Sequence, residues 1–279
     1  MNPLVTPTWL AARLQNPDII ILDATLPPVG VTPPADTHAR YLANHIPGAV
    51  FFDIEELSDH STPLPHMLPT AEAFSRSVSA LGIADTATVV IYEQESVFSA
   101  PRAWWMLRTF GAQHVYILDG GLRAWTEAGL PTESGPGLHT PASFRAKLNH
   151  EAVRNLAQIK EKITNHQQIL DARSAARFNG TAPEPRPGLS SGHMPGATSV
   201  PFTELVEDGR LKSADKLQQL FAAKNIDLQQ PITTTCGSGV TAAVIALSLE
   251  VVGAKNVSLY DGSWAEYAQE PDSIIEKNT

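Results

Sequence analysis

The chain has one cysteine, Cys236, among 279 residues. It cannot form an intrachain disulfide, and it has no resolving thiol for dithiol redox exchange. No apolar run approaches the roughly 20 residues of a membrane span, and the opening Met1-Asn2-Pro3-Leu4-Val5-Thr6-Pro7 lacks a basic stretch followed by an apolar core. Neither a membrane segment nor a signal peptide is expected, so the cytoplasm is the expected compartment. Charged residues make up 18%, and 29 acidic against 20 basic side chains give a net charge of −9. That balance excludes the basic footprint of a nucleic-acid binder. It leaves small anions open as ligands, because a local pair of arginines overrides the global field. No histidine and carboxylate spacing suggests a metal site, and no glycine-rich phosphate motif follows an early strand. No cofactor is expected.

What is present is a duplication. Ile21-Leu22-Asp23-Ala24 returns as Ile169-Leu170-Asp171-Ala172, and His45-Ile46-Pro47-Gly48-Ala49 as His193-Met194-Pro195-Gly196-Ala197. Phe110-Gly111-Ala112 and Leu118-Asp119-Gly120 return in the same order as Val252-Gly253-Ala254 and Tyr260-Asp261-Gly262. Two copies make a tandem pair, not a solenoid. In each copy short β-branched runs alternate with helical patterns. Strands are expected at 19–22, 88–92, 115–118, 168–171, 232–235 and 257–260. Helices are expected at 71–81, 101–110, 122–128, 156–163, 214–223 and 240–252. Such alternation predicts an α/β fold, each unit a parallel sheet flanked by helices. The expected division is residues 1–136, a linker over 137–153, and 154–279; Ser134 to Pro141, rich in Gly and Pro, marks the break.

Cys236 ends the β-branched run Ile232-Thr233-Thr234-Thr235 and is followed by Gly237-Ser238-Gly239-Val240-Thr241 and a helix-forming run. A thiol at a strand-to-helix turn meets free N–H groups and the positive helix end, which favour a reactive thiolate. Two glycines in the turn let those amides approach an anion. A buried structural cysteine is the plain alternative. A cysteine phosphatase needs an arginine six positions on, where this chain has Ala242. A Cys-His hydrolase stays open among nine histidines. Sulfur transfer through a persulfide needs one cysteine and an amide ring, and fits best. A gapless alignment of the repeats on Gly111 and Gly253 sets Gln94 opposite Cys236, so the first copy lacks the nucleophile.

The loop Cys236-Gly237-Ser238-Gly239-Val240-Thr241-Ala242 resembles the active loop of the tandem-rhodanese sulfurtransferases, on the 3-mercaptopyruvate-using side. So do Arg177-Phe178-Asn179-Gly180-Thr181, Pro183-Glu184-Pro185-Arg186-Pro187-Gly188, Phe51-Phe52-Asp53-Ile54-Glu55, His66-Met67-Leu68-Pro69 and Ser99-Ala100-Pro101-Arg102-Ala103-Trp104-Trp105. The resemblance implies two rhodanese-like domains, the second carrying the cysteine. It implies a 3-mercaptopyruvate donor and cyanide, thiol or thioredoxin acceptors, with no nucleic-acid or membrane partner. Related thiosulfate enzymes carry basic residues after the cysteine; neutral Gly237 and Ser238 speak for a keto-acid donor. The implied catalytic set is Cys236, Ser238, His66 and Glu55, the last two lent by the first domain. The implied substrate contacts are Arg177 and Arg186, whose guanidinium forks suit a carboxylate, and the loop residues Gly237, Gly239, Val240 and Thr241. A thiosulfate sulfurtransferase and a persulfide carrier serving a protein partner are the alternatives. His45 and His193, repeated in both copies, are expected to be structural, and Asp23 and Asp171 to cap turns.

Overall fold

Continuous Ile/Val runs form strands that neither face can leave in water, so helices must cover both sides. The computed structural model, which describes residues 2–28, 30–31 and 33–278, divides into two compact units. The first comprises Met1–Asp59, Leu68–Asn149 and Asp208–Leu211; the second comprises His60–Met67, His150–Glu207 and Lys212–Thr279.

In the first unit β1 (Leu4–Val5), β2 (Ile19–Asp23), β3 (Ala49–Phe51), β4 (Thr88–Tyr92) and β5 (His114–Leu118) form a five-stranded parallel sheet in the order β1-β5-β4-β2-β3. Its helices are α1 (Pro7–Ala11), α2 (Thr37–Ala43), α3 (Ala71–Ala80), α4 (Ala100–Thr109) and α5 (Gly121–Glu127). The second unit repeats the plan. Strands β6 (Val153–Arg154), β7 (Gln168–Asp171), β8 (Thr198–Ser199), β9 (Ile232–Thr235) and β10 (Val257–Tyr260) are parallel in the order β6-β10-β9-β7-β8. Helices α6 (Leu156–Thr164), α7 (Ala175–Phe178), α8 (Ala214–Ala223), α9 (Ala242–Val251) and α10 (Ser263–Tyr267) flank it. Each element of the first unit maps onto the one five labels higher.

The central strands β4 and β9 are buried along nearly their whole length, and α9 is buried from Ala242 through Leu249. A helix apolar all round belongs in a core, so the loop between β9 and α9 has a rigid wall at each end. Among the described residues no helix is long and apolar enough to cross a membrane.

The stretch expected as a linker is bonded chain instead. Gly137 N–H donates to the Tyr41 hydroxyl, Ala142 to Ser79 O, Phe144 to Ser79 Oγ, Arg145 to Asp85 Oδ1, Ala146 to Ser75 Oγ and Lys147 to Phe110 O. Residues 137–149 thus form a strap across α3 and the end of α4, all within the first unit. Buried Phe144 faces Phe74 edge-on at 6.2 Å between ring centroids.

Candidate active site

The β9–α9 loop is held from below by α10. The Cys236 carbonyl accepts from Trp264 N–H and the Gly237 carbonyl from Ala265 N–H, each at 2.9 Å. Ser263 accepts the Cys236 N–H at 3.3 Å and donates to Tyr260 O. Gly239 turns the chain at φ +79, in the left-handed region that favours glycine. Cys236 is buried, only 2% exposed. Among the described residues, the N–H groups of Val240, Thr241 and Ala242 donate to no acceptor in the protein. They close the first turn of α9, where the helix dipole adds to their attraction for an anion.

The first unit shows what such a ring does. Strand pairing aligns Asp23 with Tyr92 and Asp171 with Thr235, while Leu122 N–H donates to Glu93 O as Trp264 N–H does to Cys236 O. The partner of Cys236 is therefore Glu93. The gapless alignment that chose Gln94 fails because the first unit's loop is one residue longer. Glu93 is buried, and its carboxyl accepts from the N–H groups of Phe98, Ser99 and Ala100 at 2.7 to 3.1 Å and from Ser99 Oγ at 3.2 Å. Those amides, counted back from Gly111 as Val240, Thr241 and Ala242 are from Gly253, are the counterparts of the three in the second unit. Burial nevertheless pushes the Glu93 carboxyl up to about 7. Gln94 bonds to Asp23 instead.

Of the expected site residues, the second unit gathers Ser238, His66, Arg177 and Arg186 at the Cys236 loop. His66 Nδ1 lies 2.9 Å from Ser238 Oγ, and Arg186 Nη2 lies 3.4 Å from the same oxygen. Guanidinium only donates. The hydroxyl therefore accepts from Arg186; toward His66 Nδ1 it donates when the imidazole hydrogen is on Nε2 and accepts when that hydrogen is on Nδ1. His66 sits at φ 59, rare for a residue with a Cβ. In sequence His66 lies in the first copy, and in space its segment packs with the second unit. Segment His60–Met67 belongs to the second unit, so the His66–Ser238 contact is internal to it. Glu55 belongs to the first unit, exposed in a turn where its own N–H caps Asp53 Oδ1. Arg177 packs on the loop backbone, for a Cβ on Gly237 would stand 3.0 Å from its Nη2 and 3.8 Å from Arg186 Nη1. A side chain at 237 would displace those guanidinium ends.

Residues outside the expected set complete the surround. Glu184, with a side chain 1% exposed, accepts from Arg173 Nη1 at 2.8 Å and from Arg177 Nε and Nη2 at 3.1 and 2.5 Å. Arg173 is fully buried, forked onto Asp171 and stacked 4.0 Å above Trp264. The only sequence signal for Glu184 was its place between Pro183 and Pro185. Asp23 and Asp171 each accept the N–H two residues on, the turn capping expected of them. His45 and His193 bond to Tyr41 O and Phe178 O within the repeated turns, matching structural roles. Among the described residues no cluster of three or more His, Cys, Asp or Glu is placed to hold a metal ion.

A duplicated five-stranded parallel α/β unit, with one buried thiol at a strand-to-helix turn that carries amides without a protein acceptor, defines a class of protein that does nucleophilic sulfur chemistry. A rhodanese-like domain model matches residues 6–128 and again 155–270, and the chain belongs to that family. It is 46% identical over 271 residues to 3-mercaptopyruvate sulfurtransferase of Escherichia coli K12, covering 96% of this chain and 95% of that protein. It is 42% identical over 284 residues to the human 3-mercaptopyruvate sulfurtransferase, covering 98% of this chain and 94% of that one. The crystal structure of SseA from Escherichia coli, described as a 3-mercaptopyruvate sulfotransferase, superposes with a TM-score of 0.88 at 44% identity, covering 95% of this chain and 100% of that one.

Proposed function

We propose that the chain is a cytoplasmic sulfurtransferase that loads the sulfur of 3-mercaptopyruvate onto Cys236 and passes it to cyanide, a thiol or a reduced thioredoxin. One observation carries this reading. The amides of Val240, Thr241 and Ala242 follow a buried thiol in the same turn and have no protein acceptor, while their counterparts in the first unit hold a carboxyl. A ring that binds an anion beside the nucleophile suits a persulfide, which keeps its negative charge after loading.

The Cys236 thiolate attacks the donor sulfur. A sulfur–sulfur bond forms, the donor's carbon–sulfur bond breaks, and its electron pair leaves on pyruvate enolate. His66, reached through Ser238 Oγ, takes the thiol proton and returns it to the enolate carbon, so pyruvate departs with a methyl group, and the donor's own S–H proton is released as the persulfide ionises. Attack on the outer sulfur by cyanide or a thiol then restores the thiolate. Arg177 and Arg186 hold the donor's carboxylate and keto oxygen. Glu55 enters through the family resemblance as a further member of the Ser238–His66 relay, and Glu55→Gln, assayed for kcat against 3-mercaptopyruvate, tests it by itself. The neutral side chains at 237 and 238 favour this donor over thiosulfate, a dianion.

Thiocyanate production from cyanide, with 3-mercaptopyruvate and thiosulfate run in parallel on wild type and Cys236→Ser, tests the proposal. We expect 3-mercaptopyruvate to be preferred and the variant to be inactive. A preference for thiosulfate would overturn the donor, and turnover by Cys236→Ser would overturn the nucleophile. Loading without release to any small acceptor would point to a carrier for a protein partner.

A further inference from the structure

We propose that Glu184 is the positioning residue that fixes which edge of Arg177 faces the donor. The inference rests on the donor reading above and extends it to a side chain that never meets the substrate. A guanidinium has two hydrogen-bonding edges, one formed by Nε with one terminal nitrogen, the other by the two terminal nitrogens together. Glu184 Oε2 occupies the first edge of Arg177 through Nε and Nη2. The second edge is then turned away from Glu184, on the side chain whose Nη2 lies against Gly237. An arginine free to rotate would offer either edge at random; this one offers a single fork to a carboxylate.

Glu184 is itself held. Its other oxygen accepts from Arg173, which is forked onto Asp171 at the end of β7 and bonded to Gly192 O. Asp171, Arg173, Glu184 and Arg177 form a chain of alternating charge that sums to zero, which is the condition for burying such groups at all. Exposure rises along it, from 0% at Arg173 and 1% at Glu184 to 23% at Arg177. The anchored end lies in the core and the donor-facing end reaches solvent. Pro183 and Pro185 flank Glu184 with fixed φ and no N–H of their own to satisfy. Removing the Glu184 charge leaves two guanidiniums sharing one carboxylate, and Arg177 loses the bonds that aim it.

The test is Glu184→Gln in steady state and in single turnover. With 3-mercaptopyruvate as donor, KM should rise about 10- to 100-fold, the factor that corresponds to a charge-assisted hydrogen bond of roughly 1.5–3 kcal/mol. Discharge of the preformed Cys236 persulfide to cyanide involves no donor carboxylate and should keep its wild-type rate. In an Arg177→Ala background, Glu184→Gln should raise KM no further. An unchanged KM, a discharge step slowed as much as loading, or losses that multiply in the double variant would each overturn the proposal. Should Glu184→Gln not fold, Glu184→Asp takes its place; it keeps the charge but shortens the reach by one methylene, and the same outcomes decide. If wild type itself ignores 3-mercaptopyruvate, the donor reading fails; if wild type uses it and these variants do not behave as stated, the positioning role alone fails.

Discussion

A carboxyl deep in a protein, held only by N–H and O–H donors, is pulled two ways, and at Glu93 burial wins. Its pKa is raised from 4.5 to about 7, with desolvation as the largest cause and the amides of Phe98, Ser99 and Ala100 opposing it. Between those values the folded chain keeps a proton that the unfolded chain has released. The resulting stability is present in full below about 4.5 and is lost as pH rises through about 7. The gap corresponds to about 3 kcal/mol. Urea unfolding at pH 5, 6, 7 and 8 should show this decline in wild type and a flatter profile in Glu93→Gln; equal slopes would mean the carboxyl does not titrate there. A second residue-scale test concerns Gly237. A methyl at that position meets the far end of Arg177, so Gly237→Ala should leave unfolding stability within about 1 kcal/mol, because a flexible side chain yields, while raising KM for the donor. Unchanged KM would show that Arg177 need not sit there. At this scale the sequence was only partly legible. Cys236, Ser238, Arg177 and Arg186 stood in a recognisable pattern and do converge. Glu93 was missed by one position, because a single extra residue in a loop leaves no mark on a gapless alignment. Glu184 and Arg173 were missed as a pair, since a buried ion chain has no periodicity to betray it.

Among the elements, the six strands and six helices expected from β-branched runs and apolar periodicity are present, most within one or two residues of their expected ends. They were legible because each buries a continuous or periodic apolar face. Strands β1, β3, β6 and β8 and helices α1, α2, α7 and α10 were not, since such short segments show little or no period. The strap over 137–149 is illegible for a different reason: Gly and Pro mark irregular backbone, and irregular backbone is equally at home in a free linker and in a segment pinned by side-chain acceptors. Its anchor is testable. Phe144 is 4% exposed against Phe74, so Phe144→Ala should cost about 3–5 kcal/mol in urea unfolding. A cost near zero would mean that the strap lies on the first unit without supporting it.

For the molecule as a whole, duplication did not double the chemistry. Two units share strand order, helix order and a run of amides at the same turn, yet in one that turn carries a thiol and in the other the amides hold Glu93. Loading with 3-mercaptopyruvate in the absence of an acceptor should therefore add one sulfur per chain by intact mass, and none to Cys236→Ser; two per chain would require a second nucleophile. The first ring has a further consequence. Glu93 is attached to the ring it fills, so its effective concentration there is on the order of millimolar or more, and it cannot diffuse away. A dissolved anion has to outcompete a tethered rival in one unit and meets none in the other. Anionic donors and inhibitors should consequently show simple one-site saturation, with a stoichiometry that the repeat in the sequence would not suggest.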